Sequence, residues 1–279
     1  MNLRVRAPAT TANLGPGFDC AAAALDLWNE VEITDASSPL SVETTLSRDP
    51  DHLALRAFAR LHPTDRLAFA FTDRIPRERG LGSSAATVAL GLVAGALVAG
   101  REPDPEELLR LGVDLEGHPD NLAAALAGGV CLTWDGRIAR VAERLPAEPI
   151  ALVPEERVGT KAARDALPDH LPHADAAHTA GRATLLGAAI ASGSTELFAA
   201  ALDDRLHEPY RAANAPLLAA VRTDLPAGAL GATISGSGPT VIVWARPGGV
   251  DACAAALAIR FPAAKVAPLE VAAAGTMSL

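Results

Sequence analysis

The chain has 279 residues, 49% of them hydrophobic, enough for one large domain or two ordinary ones around a sizeable core. Asp and Glu number 33 against 24 Lys and Arg, and a net charge of −9 argues against a nucleic-acid or anionic-membrane surface, which needs a basic footprint. Cys20, Cys131 and Cys253 lie far apart with no CxxC pair, which excludes a small disulfide framework or a thiolate zinc site and fits a reducing compartment. Met1 to Arg6 holds no apolar signal segment, and the uncharged stretch Ala85 to Ala99 falls short of the roughly 20 apolar residues that span a bilayer. A cytoplasmic location without membrane or nucleic-acid partners is the expectation.

In chain order, Leu3 to Ala7 alternates as a strand and leads into a small-residue loop, Pro8 to Asp19. Strands are predicted at Asn29 to Thr34, Leu40 to Leu46 and Arg66 to Thr72, with a helix over Leu53 to Leu61. A loop over residues 74–84 runs into the Ala85 to Ala99 helix. The next helix has explicit start signals: Asp104 as N-cap, Pro105 at the first position, Glu107 three residues after the cap. Pro119 to Ala127 reads as a short helix stopped by Gly128-Gly129, and a hairpin turns across Asp135-Gly136 between Val130 to Trp134 and Arg137 to Val141. A proline-bearing boundary follows at Arg144 to Pro149. Beyond it come a strand at Ile150 to Val153, helices at Gly181 to Ser192 and Thr195 to Asp203, strands at Gly231 to Ser235 and Thr240 to Ala245, and a helix at Val250 to Ile259. Strands and helices mix without strict βαβ alternation, so the class is α+β in two parts, 1–146 and 147–279.

Gly80-Leu81-Gly82-Ser83-Ser84-Ala85 is the central chemical feature. Glycines let a backbone approach phosphate oxygens, and the helix that follows offers unpaired N–H groups and a positive dipole end. With only two lysines, Lys161 and Lys265, the chain must meet phosphate with arginines and backbone amides. The string also satisfies the dinucleotide fingerprint, but Pro76 and the charged Arg77-Glu78-Arg79 stand where a buried strand should end, and at least three strand-like segments precede it. His170, His173 and His178 with Asp169 and Asp175 match no common zinc spacing; a solvated, irregular loop between Pro168 and His178 is expected. In the loop Pro8 to Asp19, Asn13 and Asp19 sit on a Gly/Pro-shaped turn, a plausible place for ligand contacts.

That loop, together with Gly80 to Ala86, Glu116-Gly117-His118-Pro119-Asp120-Asn121, His207-Glu208-Pro209-Tyr210-Arg211 and Ser235 to Thr240, closely resembles the homoserine kinase family of the GHMP kinase superfamily. The five blocks occur in the family's order across residues 8 to 240. The resemblance implies an N-terminal nucleotide-binding α+β domain, a C-terminal ferredoxin-like domain, and an active site in the cleft between them. It implies ATP and Mg²⁺, L-homoserine as substrate, a step toward threonine, and a homodimer. Other small-alcohol kinases of the superfamily and a catalytically silent relative are the competing readings.

Residue by residue, the resemblance places the ATP phosphates along Pro76, Arg77, Glu78, Arg79, Gly80, Leu81, Gly82, Ser83, Ser84, Ala85 and Ala86, with Ser84 and Glu116 as Mg²⁺ ligands. Arg79 is expected to neutralise phosphate charge. Asp19 takes the ammonium group of the substrate, and Arg164 and Arg211 clamp its carboxylate. Asn13, His118, Asn121 and Thr160 are the expected catalytic set. Relatives place an aspartate near Asn121; an asparagine is no useful base, and Asp120, one residue away on a helix, is expected to point elsewhere. Positioning and charge stabilisation then carry the reaction, with the hydroxyl proton leaving late to a phosphate oxygen. His52 stands where relatives often carry Asn on the adenine side, a departure from the family pattern.

Overall fold

The computed structural model describes residues 2–35, 45–47 and 49–279, with backbone alone at 45–47 and at Thr160. Strand β1 (Asn2–Ala12) pairs antiparallel with β2 (Ala21–Asp35). The predicted loop therefore starts five residues later than Pro8, at Asn13. The strand passes through that proline because the register shifts between Pro8 and Ala9, and a missing N–H is tolerated at a bulge. Of the predicted strand at Leu40 to Leu46, residues 40–44 lie outside the described residues; β3 (Thr45–Ser47) pairs with β4 (Leu67–Thr72). Between them α1 (Leu53–Phe58) begins at His52, whose Nδ1 accepts from Ala54 N at 3.3 Å and whose ring stacks on Phe71.

Helix α2 (Ser83–Val98) is buried almost all round from Ala85 to Ala96, packed by α1, β1 and the two helices that follow, α3 (Pro105–Glu116) and α4 (Pro119–Ala127). Its alanines and glycines are what let so many neighbours approach. Asp104 Oδ1 caps α3 by accepting from Glu107 N at 2.8 Å, and Gly117 and Gly128 end α3 and α4 at φ 86° and 71°. The hairpin β5 (Val130–Trp134) and β6 (Arg137–Ala142) turns through Asp135 and Gly136, both at positive φ as a two-residue turn of this hand requires.

The second half contains β7 (Glu148–Val153), α5 (Thr160–Asp165), α6 (His173–Ser192), α7 (Thr195–Ala201), α8 (Glu208–Arg211), α9 (Pro216–Thr223), β8 (Ala229–Ile234), β9 (Val241–Ala245), α10 (Val250–Arg260), β10 (Lys265–Pro268) and β11 (Met277–Ser278). Helix α6 starts eight residues before the predicted Gly181 and absorbs most of the expected irregular loop. A proline removes hydrogen bonds toward the preceding turn, so Pro172 can launch a helix at His173 that it could not continue.

Among the described residues the strands form two antiparallel sheets. One has the order β11-β1-β2-β4-β3, with β5 bridging β2 and β6; the other has the order β10-β7-β9-β8 of a ferredoxin-like layer. Period-two alternation splits the second sheet's residues between two cores. Ile150, Leu152, Val241 and Val243 face α9 and α10, whereas Ala151, Val153, Ile242 and Trp244 join the large core shared with the first half. The tail returns to the first sheet through the Leu25–Val271 bridge and β11. No helix among the described residues is long and apolar enough to cross a membrane.

A Cβ at Gly91 would lie 2.1 Å from the Ala54 carbonyl oxygen, where α1 crosses α2. Gly91→Ala should therefore destabilise the protein by about 1–3 kcal/mol in urea unfolding, although alanine is the better helix former by roughly 1 kcal/mol. A neutral or stabilising effect would show that the helices are not in this close contact.

Candidate active site

The loop that opens α2 is clasped on two sides, by the Ser235 backbone at Gly80 and by the Thr10 side chain at Gly82. Gly80 and Gly82 take φ of 74° and 66°, and a Cβ on them would fall 2.2 Å from the Ser235 carbonyl oxygen and 1.9 Å from Thr10 Oγ1. Ser235 Oγ donates to Gly80 O at 2.6 Å, and Thr10 N donates to Leu81 O at 3.1 Å. So clasped, Gly82 opens α2 in the left-handed conformation, and the first-turn N–H groups of Ser83, Ser84 and Ala85 end the helix beside a pocket. Leu81, Ala85 and Ala86 are buried in the core, so they can meet a ligand only through backbone. Arg77 is exposed and pairs with Asp73.

Asp19, Arg164 and Arg211 are among the charged side chains that line the same pocket. Asp19, at φ 53°, accepts Arg164 Nη2 on both carboxylate oxygens at 2.8 and 2.7 Å, while Arg164 Nε is buried and unpaired. Arg211 is 3% exposed and forms no ion pair among the described residues. Its Nε donates to Ala163 O at 3.2 Å and its Nη1 to Gly236 O at 3.1 Å, which leaves Nη2 uncommitted. Burial, and then the neighbouring Arg164, push its pKa down. Both guanidinium groups sit over the Phe18 ring, at 5.5 and 5.1 Å.

Arg211 is delivered by α8, whose start is held by buried Asp204: its Oδ2 accepts from the backbone of His207 and Glu208 at 2.8 and 2.9 Å. Glu208 ties the same helix to β8 and α9, accepting from Ile234 N at 2.8 Å and Arg222 Nη2 at 2.5 Å. Asn13, at φ 70°, bonds Gly236 O through Nδ2 at 3.0 Å and Asp19 N through Oδ1 at 3.1 Å. The Gly236 carbonyl thus serves both Asn13 and Arg211.

On the opposite wall, His118 precedes α4 without capping it; burial and then Arg164 hold its pKa below the usual histidine value. Asn121 Oδ1 accepts from Thr10 Oγ1 at 2.6 Å and its Nδ2 donates to Asp120 Oδ1 at 3.4 Å, so one N–H of its amide is left to meet a ligand. Burial raises Glu116 to about 7, against a bond from Ser84, and its Oε2 is buried without a partner. Burial likewise raises Asp120 to about 6; its Oδ1 accepts from Asn121 N at 2.7 Å.

Two expectations change here. Asp120 does not point elsewhere: it lines the same pocket as Asn121, because the first turn of α4 meets the pocket end-on rather than side-on. Arg79 borders the pocket too, but its guanidinium donates to the carbonyls of Pro154, Glu155 and Arg77, which braces the 154–158 segment rather than leaving a cation free for phosphate. Thr160 begins α5, and its side chain lies outside the described residues. His178 bonds Asp203 and Asp175 pairs with Arg205; among the described residues no group of three or more His, Cys, Asp or Glu is arranged to hold a metal. Thr10, Phe18 and the Gly236 carbonyl were not singled out by the sequence. An aromatic beside Asp19 in a Gly/Pro turn is a signal for Phe18; nothing local marks a carbonyl.

Asp120 carries a pH signature. A carboxyl raised from 3.8 to about 6 adds stability below its unfolded value and loses it as pH climbs through about 6. Asp120→Asn should therefore stabilise the protein by about 2–3 kcal/mol at pH 8 and by almost nothing near pH 4 in urea unfolding. Equal or lower stability of the variant at pH 8 would mean that the pocket favours the carboxylate.

Family models match twice: GHMP kinases N terminal domain over residues 52–129, and GHMP kinases C terminal over residues 186–263. The homoserine kinase of Streptomyces avermitilis is 43% identical over 267 residues, covering 89% of this chain and 87% of that protein. The homoserine kinase of a Synechococcus strain is 41% identical over 90% of this chain and 88% of its own. The crystal structure of homoserine kinase from Cytophaga hutchinsonii superposes with a TM-score of 0.83 at 26% identity, covering 100% of this chain and 97% of that one. A mevalonate kinase structure, at TM-score 0.69 and 13% identity, shares the fold. With a glycine-clasped helix tip, an acid and two arginines around one pocket, and this likeness along nearly its whole length, the chain belongs to the homoserine kinase family of the GHMP kinases.

Proposed function

We infer that the protein transfers the γ-phosphoryl group of ATP to the side-chain hydroxyl of L-homoserine, giving O-phospho-L-homoserine and ADP. The observation that carries this reading is Arg211, a buried guanidinium with no acidic partner among the described residues, beside a pocket that also holds Asp19, Arg164 and the N-terminus of α2. A buried cation calls for an anion, and a ligand carboxylate at Arg211 and Arg164 supplies it. A zwitterion adds an ammonium for Asp19, so substrate charges replace the contacts that Asp19 and Arg164 make with each other. Each charge-assisted bond is worth about 1.5–3 kcal/mol.

The phosphates lie against the Ser83, Ser84 and Ala85 N–H groups and the α2 dipole. The unpaired Glu116 Oε2 and the Ser84 hydroxyl are hard oxygen donors at the mouth of this loop, a set that suits Mg²⁺. Bound there, the ion would neutralise charge between the β- and γ-phosphates. The Asn121 amide, held by Thr10, and His118 orient the hydroxyl. Its oxygen bonds to the γ-phosphorus as the bond to the β-bridging oxygen breaks, and the proton passes late to a phosphoryl oxygen. A loose transition state asks for little activation of the nucleophile. The proposal includes a cytoplasmic location and a homodimer, the latter checked by light scattering.

Three substrates test the clamp: homoserine, 4-hydroxybutyrate, which lacks the ammonium, and 3-amino-1-propanol, which lacks the carboxylate. Arg211→Ala should raise the KM for homoserine by about 10- to 100-fold, the worth of one charge-assisted bond, and leave 3-amino-1-propanol unaffected. Asp19→Asn should penalise homoserine but spare 4-hydroxybutyrate. An unchanged homoserine KM in either variant would contradict the substrate assignment. Asp120→Asn should keep kcat within about tenfold; a loss beyond about 100-fold would instead make Asp120 the proton acceptor.

A further inference from the structure

His207, at the start of α8, is fully buried. Its Nε2 lies 2.8 Å from the Gly15 carbonyl oxygen, and its Nδ1 lies 3.4 Å from Arg211 Nη1. A carbonyl only accepts and a guanidinium only donates. Both partners therefore demand one state of the ring: the proton on Nε2 and the lone pair on Nδ1. Asp204 Oδ2 stands 3.6 Å from Nε2, but that oxygen already accepts two backbone N–H groups. Burial, against Asp204 and the Gly15 carbonyl and with a smaller push from Arg211, lowers the pKa of the imidazole, in keeping with the neutral ring that the two partners demand. The ring stacks on Phe18 with centroids 5.1 Å apart, under the same aromatic face that carries Arg211.

We propose that His207 is a positioning residue for the substrate carboxylate: a neutral imidazole of fixed tautomer that ties the Gly15 turn to Arg211 and aims the guanidinium into the pocket. This rests on the reading of Arg211 as the carboxylate clamp. The Gly15 turn belongs to the loop that presents Asn13 and Asp19, so one ring couples the cationic and anionic sides of the clamp. Arg211 then has three fixed contacts, to Ala163 O, Gly236 O and His207 Nδ1, and its Nη2 remains for the ligand.

Two substitutions separate the ring's two bonds. His207→Gln keeps an amide N–H near Nε2 for Gly15 but offers Arg211 no acceptor; His207→Asn keeps an oxygen near Nδ1. The Gln variant should raise the homoserine KM about 20-fold with kcat and the ATP KM within about twofold, and the Asn variant should recover most of that loss. In an Arg211→Ala background, His207→Gln should add less than about twofold, because the group it positions is gone. An undiminished penalty in that background, a matching rise in the ATP KM, or a greater loss with Asn than with Gln would overturn the proposal. If Arg211→Ala alone left the homoserine KM unchanged, the parent reading would fall instead, whatever His207 does.

Discussion

A cation held out of water and given no acid among the described residues is the condition around which this molecule is arranged. Arg211 loses hydration on burial and receives in return only backbone carbonyls, an imidazole lone pair and an aromatic face. Those contacts engage its Nε and Nη1, leave Nη2 open, and do not cancel its charge. The uncancelled charge suits the carboxylate proposed for that end of the pocket. Asp19, proposed to meet the ammonium, is paired with Arg164 through both carboxylate oxygens.

Holding such a site requires several segments to converge, and the convergence is done with backbone. The loop after β8 reaches Gly80 through Ser235 and reaches β1 where Gly236 N donates to Ala12 O at 3.2 Å. Gly236 O turns toward Asn13 and Arg211. A turn from the second sheet therefore touches both the phosphate loop and the substrate clamp. Asn13, Leu14, Asp19 and Glu78 all lie at positive φ, a conformation costly for residues with side chains. They gather at the site because the surrounding contacts fix them there.

The buried acids show the same economy of solvent. Glu116 and Asp120 are both raised by burial, and the two stand close enough for Asp120 to push Glu116 further up. Glu116 keeps an unpaired oxygen at the phosphate end, whereas Asp120 is satisfied in part by its own helix turn. Two carboxyls four residues apart thus differ in what they can still bind, which fits the first rather than the second to the metal-facing role proposed for it.

The sequence by itself determined the two-part α+β class, the helix start at Asp104, the hairpin at Asp135-Gly136, and the blocks from which the site is assembled; the second helix was expected from Ala85 and begins two residues earlier, at Ser83. These are local matters: caps, turns and glycine spacing act within a few residues. Tertiary structure alone decided that Asp120 faces the pocket, that Arg79 braces carbonyls, and that Thr10, Phe18, His207 and the Gly236 carbonyl complete the site. It also decided that β11, from the far end of the chain, closes the first sheet. Each of these depends on which distant backbone or ring lies within hydrogen-bond reach, and a carbonyl's partner leaves no mark in the letters on either side of it.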